Sequence, residues 1–234
     1  MIDLHCHILP GLDDGPASLQ QSLAMAEIAE ADGITKIVAT PHIRSEVPSP
    51  DQIATACRNL NGALRKKGLQ LEILPGAETY AMAAPALLTD RTINSTRYIL
   101  IEFPLTHLPV GAGQFIFNLR VHGFKPIIAH PERIPNIIAR PQLLKNLLDE
   151  QVYVQLTVGS LTGSFGPDPE KCARYLLQNG LVHFLASDGH GVDYRQPLLA
   201  KGLKIATKLI GNREAQRLVF ANPQAVLAGH DIYG

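Results

Sequence analysis

The chain has no tryptophan and few other aromatic residues, with seven phenylalanines and six tyrosines among 234 positions. Its charge is as unremarkable in sign as in amount: 21 basic residues balance 21 acidic ones, and the sequence pI is near 7.1. Nucleic-acid binding needs a basic stripe with interleaved aromatics, and the sequence has none, so nucleic acid is not expected as a main partner. Cysteine is scarce too. Cys6, Cys57 and Cys172 are an odd number at irregular spacing, which argues against a disulfide framework and fits a reducing compartment, the cytoplasm. No apolar run approaches the roughly 20 residues of a membrane span, so no membrane insertion is expected. The first residues already read as strand and ligands, leaving no room for a signal peptide. Linkers, low-complexity stretches, charge runs and internal repeats are missing as well, and residues 1–234, 25.4 kDa in all, read as a single domain.

What the sequence does have is a repeated arrangement in which an apolar run ends in a metal-competent side chain. The opening Asp3-Leu4-His5-Cys6-His7 is followed by Asp13-Asp14-Gly15. Later runs end at His42 (Ile37 onward), at Glu78 (Leu71 onward), at Glu102 (Ile99 onward) and at His130 (Ile127 onward). Phe184-Leu185-Ala186-Ser187-Asp188-Gly189-His190 closes the set. A barrel of alternating strands and helices builds its site from the C-terminal ends of its strands, so the pattern points to a multi-metal hydrolase.

The remaining signals fit that architecture. Strands are expected at about 2–5, 35–40, 71–77, 98–102, 126–129, 152–157 and 183–186, apolar on both faces as in a buried parallel sheet. Helices are expected between them: from the capping pair Ser18 and Gln21 to Gly33, at 51–67, near 84–90, and at 112–122, 141–150 and 168–179. The helix at 51–67 opens with Ser49, Pro50 and Gln52 in capping-box order, and Ile53, Cys57, Leu60 and Leu64 share one face of it, which makes Cys57 a core residue. Two or three helices follow residue 197, with no eighth strand. The expected fold is α/β, a distorted TIM-like (β/α)7 barrel.

Each site residue also has a plainer reading. His5 and His7 alone are compatible with ordinary histidines, but period-two spacing on a strand sets both on one side, a chelating geometry. Asp14 competes with turn formation in Asp-Gly and with Asp13 as the ligand; its place after the histidine pair favours a ligand. Glu78 and Glu102 follow residues that should be buried, where an unpaired charge is costly and a cation removes the cost; an internal salt bridge to lysine or arginine is the alternative. His130, in Ala-His-Pro-Glu-Arg, and Asp188 and His190, in Ser-Asp-Gly-His, complete the candidates. His107, His122, His183 and His230 fall outside the strand-end pattern and read as solvated or hydrogen-bonded histidines. Arg133 and Arg195 lie shortly after His130 and His190. A guanidinium takes phosphate oxygens through two parallel bonds, which suggests a phosphate substrate, although spacing alone fits surface arginines equally well. Arg44 is a weaker third candidate. The segment Gly159 to Gly166 follows the one strand without a ligand at its end; it reads as a mobile connecting turn, with backbone amides lining the substrate mouth as the alternative.

These motifs, together with Thr-Pro-His at 40–42, Gly-Ala-Glu at 76–78 and Ile-Glu-Phe-Pro at 101–104, resemble the PHP (polymerase and histidinol phosphatase) superfamily. Within it they resemble the bacterial metal-dependent protein-tyrosine phosphatases of capsule and exopolysaccharide synthesis, the CpsB/YwqE type. The resemblance spans nearly the whole chain. It implies a three-metal site: His5, His7, Glu78 and Asp188 for one ion; Glu78, Glu102 and His130 for a second; Asp14, His42 and His190 for the third. It also implies Arg133 and Arg195 as phosphate-binding residues. Oxygen-rich ligands suit manganese or iron, with zinc also compatible. The implied reaction is in-line attack on phosphotyrosine by a metal-bound hydroxide, and the implied partner is an autophosphorylating bacterial tyrosine kinase. A cysteine-dependent mechanism is excluded, because the positions six after each cysteine are Leu12, Ala63 and Gln178 where C-x5-R requires arginine. The alternatives are a phosphatase of a small monoester such as histidinol phosphate, an amidohydrolase, and a non-catalytic module that binds a phosphorylated protein.

Overall fold

Apolar runs punctuated by caps and glycines predict an alternation of strand and helix. The computed structural model, which describes residues 1–43, 48–81, 88, 90–148 and 151–232, has that alternation. Its strands are β1 (Ile2–Cys6), β2 (Lys36–Ala39), β3 (His42–Ile43), β4 (Glu72–Pro75), β5 (Glu78–Tyr80), β6 (Tyr98–Glu102), β7 (Lys125–Ala129), β8 (Tyr153–Thr157) and β9 (Phe184–Ala186). Between and after them run α1 (Leu19–Ala31), α2 (Pro50–Lys67), α3 (Ala112–Val121), α4 (Pro135–Ala139), α5 (Gln142–Lys145), α6 (Val158–Leu161), α7 (Pro167–Gln178), α8 (Ala200–Ile210), α9 (Asn212–Arg217) and α10 (Ala221–Ala228).

Two-residue breaks at Thr40-Pro41 and Gly76-Ala77 split the second and third strand passages, so the nine described segments make seven passages. Pro41 has no N–H for a ladder. Gly76 lies so close to the neighbouring passage that a Cβ there would stand 2.5 Å from Val38 Cγ1. Every ladder is parallel, in the orders β1-β2-β4 and β3-β5-β6-β7-β8-β9. The ring closes where β9 returns to β1: the Asp188 N–H donates to the His5 carbonyl at 2.9 Å and the His7 N–H to the Gly189 carbonyl at 2.8 Å. The expected seven-stranded distorted barrel is therefore present.

Burial follows from this closure. Every residue of β1, β6, β7 and β8 is buried. Leu4, Val38, Leu100, Ile127, Tyr153 and Phe184 belong to one apolar cluster inside the barrel, while Ile37, Ile99, Ile128, Val154 and Leu185 belong to another that packs against the helices. Cys57 lies in the second cluster with Ile53, Leu60 and Leu64, as its helical spacing predicts. The Ser49–Gln52 capping box is complete, whereas at α1 Ser18 accepts from the Gln21 N–H and Gln21 Oε1 reaches the Ala17 N–H.

The structure departs from the expected elements in two places. The stretch expected as one helix over 141–150 contains only α5 among the described residues, and α4 precedes it. Pro135 and Pro141 each suit the start of a helical segment, so the stretch is broken into short pieces. The Gly159–Gly166 segment is no bare turn: Val158–Leu161 is helical, with Ser160 and Leu161 buried. The expected helix near 84–90 and the candidate Arg44 fall largely or wholly outside the described residues.

Candidate metal centre

The site lies at the C-terminal ends of the strands, above the apolar interior. β1 reaches it through an irregularity: its register against β2 shifts between Asp3 and Cys6, so Leu4 belongs to the apolar interior while His5 and His7 both face the site. The Nε2 atoms of these two histidines are 3.2 Å apart. Glu78 Oε2 is 3.3 Å from His5 Nε2 and 3.4 Å from His7 Nε2, and Asp188 Oδ1 is 3.4 and 3.6 Å from the same two atoms. Glu78 Oε1 is 2.9 Å from His130 Nε2, which lies 4.0 Å from Glu102 Oε1. His42 Nδ1 is 3.0 Å from Glu78 Oε2 and 3.6 Å from Glu102 Oε2. On the outer side, Asp14 Oδ1 is 3.6 Å from His42 Nε2 and 3.4 Å from His190 Nε2.

All nine residues singled out by the strand-end pattern thus converge, and their ligand atoms form overlapping groups. These are His5, His7 and Asp188; His5, Glu78 and His130; His42, Glu78 and Glu102; and His7, Asp14, His42 and His190. Two donors each about 2.1 Å from one ion stand about 3.0–3.4 Å apart, the range found between most of these pairs. The hydrogen-bond inventory points the same way. His42 Nδ1, Glu78 Oε2 and His190 Nε2 are buried with ionic neighbours but no hydrogen bond of good geometry, an arrangement that a cation among them would complete. Glu78 makes its close ionic contacts with four imidazoles, so the alternative of an internal lysine or arginine does not describe it. The donor set fits divalent or trivalent metal ions.

The electrostatics favour positive charge in this space. Burial alone would raise the pKa of Asp188, but His5, His130 and Arg195 outweigh it and hold the carboxyl at about 2. Glu78, also buried, is held well below the usual carboxylate range by His5, His130 and His42. Burial resists protonation of His7, yet Asp13 and Glu78 together push its pKa up to about 10. Proton and metal compete for the same imidazole lone pair, so a site that attracts a proton this strongly also attracts a cation.

Several supporting roles were not identified from the sequence. Gln155, inside β8, accepts from His5 Nδ1 at 2.8 Å, which leaves His5 Nε2 with its lone pair turned toward the cluster. Asp13 turns out to orient: its Oδ2 is 2.5 Å from His7 Nδ1, while Asp14 faces the cluster. Asp3 is fully buried and ties β1 to the residue that follows β9, accepting from the Ser187 N–H at 3.0 Å and the Ser187 hydroxyl at 2.5 Å. Burial raises its pKa to about 6 despite those bonds. His130, Asp188 and Arg195 all have positive φ, between 34° and 53°, a state uncommon outside glycine, and they are three of the five such non-glycine residues among those described.

At the mouth of the cluster, Arg133 Nη1 donates to Asp188 Oδ2 at 3.1 Å, and Arg195 pairs closely with the same oxygen. Neither is an ordinary surface arginine: their side chains are 17% and 18% exposed. The three thiols are buried. Burial pushes Cys57 and Cys172 up to about 12 and Cys6 well above its ordinary value, so no thiolate nucleophile is at hand. His107, His122, His183 and His230 lie outside the ligand groups.

The family profile described as capsular polysaccharide synthesis, CpsB/CapC, matches residues 1–228. The chain belongs to the CpsB/CapC family. Among CpsB/CapC relatives, the tyrosine-protein phosphatase YwqE of Bacillus subtilis is 37% identical over 100% of this chain and 94% of its own. The tyrosine-protein phosphatase CpsB of Streptococcus agalactiae is 32% identical over 99% of this chain and 100% of its own. A crystal structure described as one of YwqE from Bacillus subtilis and CpsB from Streptococcus pneumoniae, unique metal-dependent tyrosine phosphatases, superposes with a TM-score of 0.92 at 37% identity, covering 100% of this chain and 96% of that one. An organophosphorus hydrolase shares the fold alone, with a TM-score of 0.61 at 14% identity, covering 97% of this chain and 92% of that one.

Proposed function

We propose that this chain is a metal-dependent protein-tyrosine phosphatase that hydrolyses phosphotyrosine and acts in capsule or exopolysaccharide synthesis. The observation that carries this reading is the convergence of nine metal-competent side chains with two guanidinium groups at their rim, in a member of a family whose relatives are named tyrosine phosphatases. We assign the ligand roles to His5, His7, Asp14, His42, Glu78, Glu102, His130, Asp188 and His190, holding three ions, with manganese favoured over iron and zinc by the oxygen content of the set. Bound ions supply Lewis acidity and make water reactive near neutral pH.

The chain's own side chains do the rest. Arg133 and Arg195 take the phosphoryl oxygens and stabilise charge that develops on them, and their contact with Asp188 aims both at the ligand cluster. The leaving phenol ionises near pKa 10, so a tyrosine ester needs little assistance from a general acid compared with an alkyl ester. Asp13 and Gln155 fix the rings of His7 and His5. The partner we infer is an autophosphorylating bacterial tyrosine kinase, and the compartment the cytoplasm. Among the described residues no helix is long and apolar enough to cross a membrane.

The test is phosphate release from a phosphotyrosine peptide by chelator-stripped protein reloaded with manganese, run beside a His42→Ala, His130→Ala double variant. Metal-dependent release that the double variant lacks is the expected result. Failure of the folded, metal-loaded protein to release phosphate overturns the reading; turnover of histidinol phosphate in its place would indicate a small-monoester phosphatase.

A further inference from the structure

Phe165 sits in the segment between α6 and α7, and its ring lies against both arginines of the site. The Arg133 guanidinium carbon is 4.2 Å from the ring centroid and that of Arg195 is 5.9 Å away. Both fall within the reach of a cation–π contact. The ring is half-buried yet belongs to neither apolar cluster of the core. The ring also lies against Gly159, where a Cβ would stand 2.8 Å from Phe165 Cε2. An aromatic ring that packs on two cations and a glycine, apart from the core, calls for an account other than core filling.

The two guanidinium groups face an electrostatic difficulty. They are like charges gathered on a single oxygen, Asp188 Oδ2, and Arg195 Nε is buried with no hydrogen-bond partner. The negative face of an aromatic ring attracts both cations without competing for their N–H groups, so those not engaged by Asp188 stay available for an incoming anion. The ring is itself held in place. The buried Glu132, next to Arg133, accepts from the Thr157 N–H at 3.0 Å and the Ser160 hydroxyl at 2.7 Å, joining the arginine-bearing turn to α6. The Ser164 N–H then donates to the Gly159 carbonyl at 2.9 Å, closing the segment that carries the ring.

We propose that Phe165 is a positioning residue: its ring holds Arg133 and Arg195 together in the orientation that receives the phosphoryl group. The inference rests on the phosphatase reading of the same site. It also gives the Gly159–Gly166 segment a part in the site, where sequence alone suggested a connecting turn.

The test compares the metal-loaded parent with Phe165→Leu, Phe165→Tyr and Gly159→Ala. Leucine keeps apolar bulk and removes the ring face, tyrosine keeps the face, and alanine at 159 forces the ring to shift. For each, affinity for inorganic phosphate is measured by calorimetry, and kcat and KM with a phosphotyrosine peptide, with metal content and melting temperature as controls for folding. Phosphate affinity is expected to fall about tenfold in Phe165→Leu, with KM rising in parallel, to fall severalfold in Gly159→Ala, and to stay within twofold in Phe165→Tyr. Equal phosphate affinity in the parent and Phe165→Leu, or equal losses in the leucine and tyrosine variants, would overturn the proposal. A parent that binds phosphate, loses it in Phe165→Leu and yet releases none from the peptide would leave the positioning role standing and the phosphatase reading broken.

Discussion

At the scale of single residues, the site is defined as much by the side chains that orient ligands as by the ligands. Gln155 shows this most simply. It is an uncharged residue inside β8, and its oxygen decides which nitrogen of His5 carries the proton. Replacing it by leucine leaves a buried Nδ1–H without an acceptor and frees the ring to choose the wrong tautomer. Gln155→Leu is expected to weaken metal binding about 10–100-fold in a chelator competition, while Gln155→Glu, which keeps the acceptor, stays closer to the parent. Undiminished affinity in the leucine variant would show that His5 needs no such partner. The same residues show where sequence reading stops. Glu78 and Glu102 stand out because a carboxylate at the end of an apolar run has no cheap explanation except a cation. Gln155 looks like any polar residue in a strand, and Asp13 cannot be separated from Asp14 by spacing, because adjacent residues differ only in where their side chains point. Asp3 was passed over although it belongs to the same opening motif, since its function is to join β1 to a loop 184 positions away.

At the scale of elements, local signals placed most of the helices, and the exceptions have a common cause. The ends of α2 are marked by Ser49, Pro50 and Gly68, each of which satisfies or spares a terminal backbone group. α8, one of the helices expected after residue 197, carries no N-terminal signal of its own, because its cap comes from elsewhere in the chain. Asp32, just past α1, accepts from the N–H groups of Leu199 at 2.6 Å and Ala200 at 2.8 Å, supplying both hydrogen bonds and a negative charge to the start of that helix. Asp32→Ala is therefore expected to cost about 1–2 kcal/mol in urea unfolding, as for the loss of a good helix cap. A loss below about 0.3 kcal/mol would mean that water replaces the carboxylate there. The short α6 was missed for a related reason: its four residues carry no periodic pattern, and what anchors it is the buried Glu132 bonded to Thr157 and Ser160.

At the scale of the whole molecule, a barrel concentrates polar chemistry at the C-terminal ends of its strands and leaves the opposite end to be sealed. Here the C-terminal segment seals it: the Tyr98 hydroxyl donates to the His230 carbonyl at 2.7 Å, Lys125 pairs with Asp231, and Asn94 Nδ2 donates to the Leu227 carbonyl at 3.1 Å. His183 lies near this end, with its Nδ1 accepting from the Val154 N–H at 3.1 Å. Burial, reinforced by Arg217, lowers its pKa to about 4, against about 6.5 in an unfolded chain. Above pH 6.5 both states hold it neutral and its contribution to stability is complete. Between pH 6.5 and 4 the unfolded chain takes up a proton that the folded one refuses, so stability falls as pH falls; below 4 the loss is finished, at up to about 3 kcal/mol. His183→Asn keeps an oxygen acceptor for the Val154 N–H and removes the titration. Urea unfolding of parent and variant at pH 7.5 and 4.5 isolates this one group, since the other titrating residues are common to both proteins. The variant should lose less stability on acidification than the parent by about 2 kcal/mol; an equal loss in the two would place the acid sensitivity of the fold in the metal-ligand cluster and away from its base.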